Sequence, residues 1–225
     1  MENHFEMGLE ALRQNILLMA SRAETAVNQS VQALVQRDYD LAVRVREDDN
    51  IIDQFEVEID EMAIVLLTKA PLASNLRLIT VAMKVSQNLE RIGDEATKIA
   101  KRARDLAQEP PVKINLEVNR MASLSLAMVK DALDAFVHRD STAARAIVPR
   151  DKEVDALNRE MHQALAQHMM ANPDTIARCL HWIVAAKSLE RIADHAKNIA
   201  EEVVFLCEAQ DIRHTAGKTA PTPTI

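Results

Sequence analysis

Pairs of acidic residues recur along this chain at a spacing of four positions. The pairs are Asp49 with Asp53, Glu90 with Asp94, Asp151 with Asp155, and Glu190 with Asp194. Side chains four residues apart share one face of an α-helix, with their Cβ atoms about 5–6 Å apart. Two carboxylates on one face offer oxygen ligands, which hard cations such as Mg²⁺, Mn²⁺, Ca²⁺ and iron accept. The spacing therefore predicts cation sites made of carboxylates, and two such faces on adjacent helices would hold more than one ion.

The alternative interpretation is an acidic face that is only solvated. Like charges at this spacing cost a few tenths of a kcal/mol per pair when no counter-ion is present. Apolar residues at helical spacing predict the buried stripe of the third helix, namely Val81, Val85, Ile92, Ala96, Ile99 and Ala103. Glu90 points away from that stripe, so any cluster is expected on the surface of the bundle. Recurrence of the pairs in matching places favours a metal-linked or anion-linked site.

The composition indicates that helices position these pairs. The chain has 225 residues but only 3 Gly and 7 Pro, which leaves little material for the tight turns of β-proteins. Apolar periodicity and breakers such as Glu109-Pro110-Pro111 divide it into six predicted helices. Their approximate ranges are 8–36, 40–69, 74–108, 115–138, 140–171 and 173–209.

The two halves of the chain repeat one another. Arg37-Asp38 recurs as Arg139-Asp140 at an offset of 102 residues, and Leu89-Glu-Arg-Ile92 recurs as Leu189-Glu-Arg-Ile192 at an offset of 100. Helical periodicity alone does not produce such identities, so they indicate an internal duplication. The predicted fold is all-α, with two tandem pseudo-symmetric three-helix bundles at residues 1–109 and 112–210. Residues 211–225, a polar Thr/Pro-rich end, are predicted to be a disordered tail.

Pro149 breaks the symmetry of the two copies. It falls inside the second helix of the second copy, just before Asp151. Because proline removes a backbone donor and clashes with the preceding turn, we expect the helix to kink or restart there.

No catalytic motif is present in the sequence. It contains no glycine-rich phosphate loop, no His-Glu-x-x-His, no Cys/His zinc spacing and no Glu-x-x-His pair of the di-iron type. Arg91 and Arg191 each follow a motif glutamate, and we expect them to form ion pairs within their own bundles. The sequence thus predicts a protein that is not an enzyme.

Charge and hydropathy predict a cytoplasmic protein. A net charge of −7 disfavours nucleic-acid binding, which depends on neutralising phosphates. No apolar run approaches the ~20 residues that cross a bilayer, and the first residues lack the features of a signal peptide. Cys179 and Cys207 are expected to be reduced thiols on helix faces.

Several segments resemble the PhoU family, the accessory proteins of the phosphate-specific transport system. The resemblance lies in Leu89-Glu-Arg-Ile-Gly-Asp94 with Ala96–Ala100, in Leu189-Glu-Arg-Ile-Ala-Asp194 with Asn198–Ala200, and in Pro71–Arg77. Two departures are Asn75, where the family usually has aspartate, and Ala193 in place of the glycine seen at Gly93.

The resemblance implies a fold, partners and metal ligands. It implies paired three-helix bundles, usually in a homodimer, and a negative regulator of the phosphate-starvation response. Such a protein links the ATPase subunit of a phosphate transporter to a sensor histidine kinase, and meets the membrane only through partners. The family motif implies sites for iron, zinc, manganese or magnesium at Glu90 with Asp94 and at Glu190 with Asp194.

The predicted function is therefore a phosphate-signalling adaptor with surface metal sites. Three alternatives remain: an accessory regulator of a different phosphate transporter, a hydrolase or oxidase with a surface dinuclear metal site, and a helical scaffold whose acidic pairs are only solvated.

Overall fold

The structure, a computed structural model, describes residues 2–70 and 72–213, which form helices and the segments that connect them. The α-helices are α1 (Glu2–Gln36), α2 (Tyr39–Glu47), α3 (Asp49–Leu67), α4 (Ala73–Ala107), α5 (Val118–His138), α6 (Ser141–Ile147), α7 (Asp151–Ala171) and α8 (Ile176–Glu208). Single 3₁₀ turns lie at Val148–Arg150 and Pro173–Thr175. No strand occurs in these ranges, which confirms the all-α class, and none of their helices is long and apolar enough to cross a membrane.

The predicted six-helix order is confirmed, with the second helix of each repeat divided in two. In the second repeat a 3₁₀ turn containing Pro149 separates α6 from α7, as the proline predicted. In the first repeat Asp48 separates the end of α2 from the start of α3, a break that was not predicted from the sequence. The run from Glu47 to Asn50 consists of acidic and amide side chains, and most of these compete with the helix for backbone hydrogen bonds.

The duplicated Arg-Asp pairs form the same turn in both repeats. Arg37 and Arg139 adopt left-handed backbone conformations, with φ of 58° and 52°. The aspartate that follows caps the next helix. Asp38 Oδ1 accepts a hydrogen bond from the Leu41 backbone N–H, and Asp140 Oδ1 accepts one from that of Ala143, each at 2.9 Å. The repeated residues therefore end one helix and begin the next.

Asp38→Ala and Asp140→Ala are each expected to lower the free energy of unfolding by about 1 kcal/mol, because each removes an N-cap acceptor. Urea denaturation monitored by circular dichroism measures this loss. Asn supplies an equivalent acceptor, so Asp38→Asn and Asp140→Asn should retain most of the stability. Equal losses in the Ala and Asn variants would show that capping is not the role of these residues.

The two long helices α4 and α8 join the repeats. In the first repeat α1 and α3 pack on α4, and in the second α5 and α7 pack on α8. Contacts between α4 and α8 run in opposite order along the two helices, so the pair is antiparallel. They join Arg77 Nη1 to the Leu206 carbonyl at 3.4 Å, Lys84 Nζ to Glu202 at 2.9 Å, and Arg191 Nη1 to Glu95 Oε1 at 3.2 Å. The predicted α4 stripe is fully buried, and one apolar core extends through both repeats.

The end of the described chain folds back on this helix pair. Arg213 Nη1 lies 3.0 Å from Glu202 Oε1, and Ile212 packs against the core. These residues belong to the predicted tail 211–225, whose remainder, 214–225, lies outside the described residues, as does Pro71. The bounds 1–109 and 112–210 stay predictions.

Candidate functional site

The predicted acidic residues form two groups, one in each repeat. The first acidic cluster lies on α3 and α4 and comprises Asp49, Asp53, Glu56, Glu90 and Asp94. The second acidic cluster lies on α7 and α8 and comprises Asp151, Asp155, Glu190 and Asp194. The structure thus brings each pair together with the pair on the neighbouring helix. Glu56 was not among the predicted residues, although its position three residues after Asp53 places it on the same helix face.

Mutual repulsion is evident in the first acidic cluster. The pKa of Glu90 is raised by partial burial and then by the charge of Asp94. The pKa of Asp49 is raised by burial, with Asp53 and Asp94 adding to it, while a hydrogen bond with Thr97 and the charge of Lys98 oppose the rise. The pKa of Glu56 is likewise raised, first by burial and then by Asp60. A cation placed among these carboxylates would therefore stabilise their ionised forms.

One arginine partly neutralises this cluster. Arg91 Nε lies 3.4 Å from Glu90 Oε2, and Arg91 Nη1 lies 3.6 Å from Asp94 Oδ2. This confirms the ion pair predicted for Arg91 within its own bundle. The arginine side chain is about half exposed, and these distances are those of a loose surface pair. Arg91 and Lys98, whose charge also acts on Asp49, supply two positive charges against five carboxylates, so an excess of negative charge remains.

Gly93 allows α3 to approach α4 closely at the motif. A Cβ atom at this position would lie 2.8 Å from Ile52 Cδ1, which is too close for a carbon contact, and 3.6 Å from Asp49 Oδ1. The missing side chain therefore brings Asp49 against the backbone between Glu90 and Asp94. The second repeat has Ala193 here, and its side chain is fully buried.

The second acidic cluster is more enclosed than predicted. Asp151 is only 6% exposed and Glu190 only 8% exposed, so the expectation that both clusters lie on the bundle surface is wrong for these residues. The reason is that α7 packs along α8 and covers the motif face. Burial, followed by the charges of Asp151 and Glu190, raises the pKa of Asp194 to about 6.

Two lysines neutralise the second acidic cluster. Lys197 Nζ lies 2.9 Å from Asp151 Oδ2, and Lys187 Nζ lies 2.6 Å from the carboxylate of Glu190. The other carboxylate oxygen of Asp151, Oδ1, is buried and has no hydrogen-bond partner among the described residues. Such an orphaned oxygen is costly in a protein interior, because it has lost its water without gaining a donor or a cation.

The donor set of each cluster suits hard cations, although the side chains are not assembled around an ion. Carboxylate oxygens suit Mg²⁺, Mn²⁺ and iron, and the buried Asp151 Oδ1, which no hydrogen-bond donor among the described residues satisfies, is one such ligand atom. In the part of the chain that the structure describes, no three His, Cys, Asp or Glu side chains converge closely enough to hold one ion. Binding would therefore require carboxylates to turn inward, and the metal sites stay a prediction.

A buried carboxylate outside the predicted pairs joins the two repeats. Glu95 is 4% exposed, and its Oε1 lies 2.9 Å from Lys98 Nζ and 3.2 Å from Arg191 Nη1. Although burial opposes it, these cationic partners lower the pKa of Glu95 overall. The expectation that Arg191 pairs within its own bundle is therefore wrong. Because α8 lies against α4, Arg191 reaches the first repeat.

Comparison with known proteins reveals one family throughout. The PhoU domain model matches residues 16–103 and 118–203, so the domain occurs twice. A Pseudomonas aeruginosa protein named phosphate-specific transport system accessory protein PhoU homolog is 42% identical over 212 residues, covering 93% of this chain and 88% of that protein. The Escherichia coli protein named phosphate-specific transport system accessory protein PhoU is 35% identical over 216 residues, covering 95% and 89%.

Solved structures agree with this relation. The crystal structure of PhoU from Pseudomonas aeruginosa superposes with a TM-score of 0.88 at 42% identity, covering 92% of this chain and all of that one. The phosphate transport system regulatory protein PhoU from Streptococcus pneumoniae superposes with a TM-score of 0.83 at 26% identity, covering 92% and 99%. The duplicated three-helix arrangement is shared over nearly the whole chain.

Proposed function

Because the chain belongs to the PhoU family, we propose that it is an accessory regulator of phosphate-specific transport that acts by binding partners, without turnover of a substrate. The observation that carries this proposal is the 42% identity, over 93% of the chain, to a relative named for that role. The absence of a catalytic motif from the sequence is consistent with it.

The finer proposal is a cytoplasmic, homodimeric adaptor. It would contact the ATPase subunit of a phosphate transporter and a sensor histidine kinase, and would repress the phosphate-starvation response while phosphate is plentiful. Exposed apolar side chains support a role in protein binding, since they give α3 an apolar strip. The strip consists of Val57, Ile64 and Val65, each more than half exposed.

We further propose that the two acidic clusters bind divalent or trivalent cations, with magnesium, manganese, zinc or iron as candidates. Raised pKa values in both clusters and the orphaned Asp151 Oδ1 support a need for positive charge there. A bound ion would bridge α3 to α4 in the first acidic cluster and α7 to α8 in the second. The cations would thus organise the binding surface.

Deletion and complementation test the regulatory role. In cells that carry this gene, we expect deletion to leave a phosphate-starvation reporter active at high phosphate, and the wild-type gene to silence it. A variant with Glu90, Asp94, Glu190 and Asp194 changed to Ala should accumulate normally but fail to silence the reporter. The matched control changes Glu6 and Glu10 to Ala, an exposed acidic pair four residues apart on α1, and should behave as wild type.

Co-purification from the same strains tests the partners. The wild-type protein should retain a transporter ATPase subunit or a sensor kinase, and the quadruple variant should lose it together with bound metal. A deletion strain whose reporter still responds to phosphate would contradict the regulatory proposal. Full silencing by the quadruple variant would remove the acidic clusters from the mechanism while leaving the regulatory role intact.

A further inference from the structure

The two acidic clusters differ in the residues that balance their charge. Lys187 and Lys197 bind the second acidic cluster, and the equivalent positions of the first repeat, 100 residues earlier, hold the neutral Gln87 and Thr97. The lysines lie three residues before Glu190 and three residues after Asp194, on the same helix face as the motif. The duplication thus keeps the carboxylates and changes their counter-ions.

Lys197 occupies the place that a cation would take at Asp151. Its Nζ contacts Oδ2 of a carboxylate that is itself 94% buried, since only 6% of Asp151 is exposed. Oδ1 of the same carboxylate has no hydrogen-bond partner among the described residues. A lysine ammonium satisfies one oxygen and supplies one positive charge, whereas a divalent ion can contact both oxygens and supplies two. The second acidic cluster is therefore occupied but incompletely neutralised.

A displaced lysine has space to move into. Lys197 and Asp151 both line a groove of about 900 Å³ between the repeats, together with Lys152, Asn198 and Arg213. The Lys197 side chain is about one-third exposed, so its flexible stem can carry the ammonium into the groove and water. Departure of the Lys197 ammonium would free Asp151 Oδ2, and the neighbouring carboxylates would then have to turn toward the ion.

We propose that Lys197 is a built-in counter-ion of the second acidic cluster, so that a divalent cation enters only by displacing it and binds more weakly there than at the first acidic cluster. This inference rests on the proposed binding of cations by both clusters. It makes the two repeats unequal: the first responds to low concentrations of the cation, and the second only to higher concentrations.

Exchange of the equivalent residues tests this assignment. Each cluster is isolated in turn: Glu90→Gln with Asp94→Asn disables the first, and Glu190→Gln with Asp194→Asn disables the second. Titration with MnCl₂ by isothermal calorimetry then measures the affinity of the intact cluster. With the first disabled, Lys197→Thr should tighten Mn²⁺ binding about 10- to 100-fold. With the second disabled, Thr97→Lys should weaken binding by a similar factor.

Lys152→Thr is the matched control, because it removes the same charge from the same groove but leaves the ion pair between Lys197 and Asp151 intact, and it should leave the affinity unchanged. If the first acidic cluster binds Mn²⁺ but neither Lys197→Thr nor Thr97→Lys changes the affinity, the role proposed for Lys197 is wrong. The proposed cation binding would then still stand. Absence of Mn²⁺ binding from the wild type and from every folded variant would overturn both the proposed cation binding and this inference.

Discussion

Mn²⁺ at 100 times its dissociation constant is expected to raise the free energy of unfolding by about 2.7 kcal/mol for each occupied site, because it binds the folded chain in preference to the unfolded one. A kcal/mol shifts the melting temperature of a chain of this size by roughly 2–4 °C, so one occupied site should raise it by roughly 5–10 °C. The gain arises because the ion replaces repulsion among Asp49, Glu90 and Asp94 with attraction.

Differential scanning calorimetry with and without MnCl₂ measures this shift. NaCl at equal ionic strength controls for screening, which acts on exposed charges in general. The variant with Glu90, Asp94, Glu190 and Asp194 changed to Ala should show no response to Mn²⁺. A melting temperature of the wild type that is unaffected by excess Mg²⁺, Mn²⁺, Zn²⁺ or iron would count against the metal sites.

Asp194→Asn is expected to stabilise the metal-free protein at pH 7.5 by about 1–2 kcal/mol. The pKa of Asp194 is about 6 in the folded protein against an ordinary value of 3.8. Ionisation of this side chain therefore destabilises the folded state relative to the unfolded one. The full shift corresponds to about 3 kcal/mol, and partial exposure of the side chain to screening water reduces it. Asn keeps the shape of the side chain and removes the charge.

The sign of the pH dependence follows from linkage. Between about pH 4 and pH 6 the folded protein retains a proton on Asp194 that the unfolded chain has lost, so the stability of the wild type falls as pH rises through this range. Urea denaturation in metal-free buffer across pH 4–8 should show this contribution in the wild type and not in Asp194→Asn. Glu160→Gln, at an exposed position of α7, is the control and should follow the wild type. Equal stability of Asp194→Asn and wild type at pH 7.5 would show that the ionised Asp194 carboxylate does not destabilise the folded protein.

Much of the fold was predictable from local sequence. Scarce glycine, helical periodicity and the repeated Arg37-Asp38 turn specify helices, their order and their duplication, because caps and periodicity are properties of short segments. The break at Asp48 was missed because no proline marks it. The burial of Glu190 was missed for a different reason: the stripe on one helix does not reveal which neighbour covers its other faces.

The candidate site was predictable in its carboxylates and not in its counter-ions. The pairs follow from spacing along single helices. The difference at Lys197 could have been predicted, since the alignment of the two repeats pairs this lysine with the neutral Thr97. The pairing of Glu95 with Arg191 was not, because it depends on how α4 meets α8 in space.

The antiparallel packing of α4 on α8 has a consequence for the ancestry of the chain. Equivalent helices that meet in opposite directions form a self-complementary interface, the kind found in a two-fold symmetric dimer. A single ancestral repeat that paired with its own copy would use this same surface. Gene fusion would then join the two copies in one polypeptide. The duplicated chain thus holds, between its own repeats, a contact of the kind that two separate copies of one repeat would make. In this chain that surface is buried between the two repeats, so a second whole chain would have to bind elsewhere on the molecule.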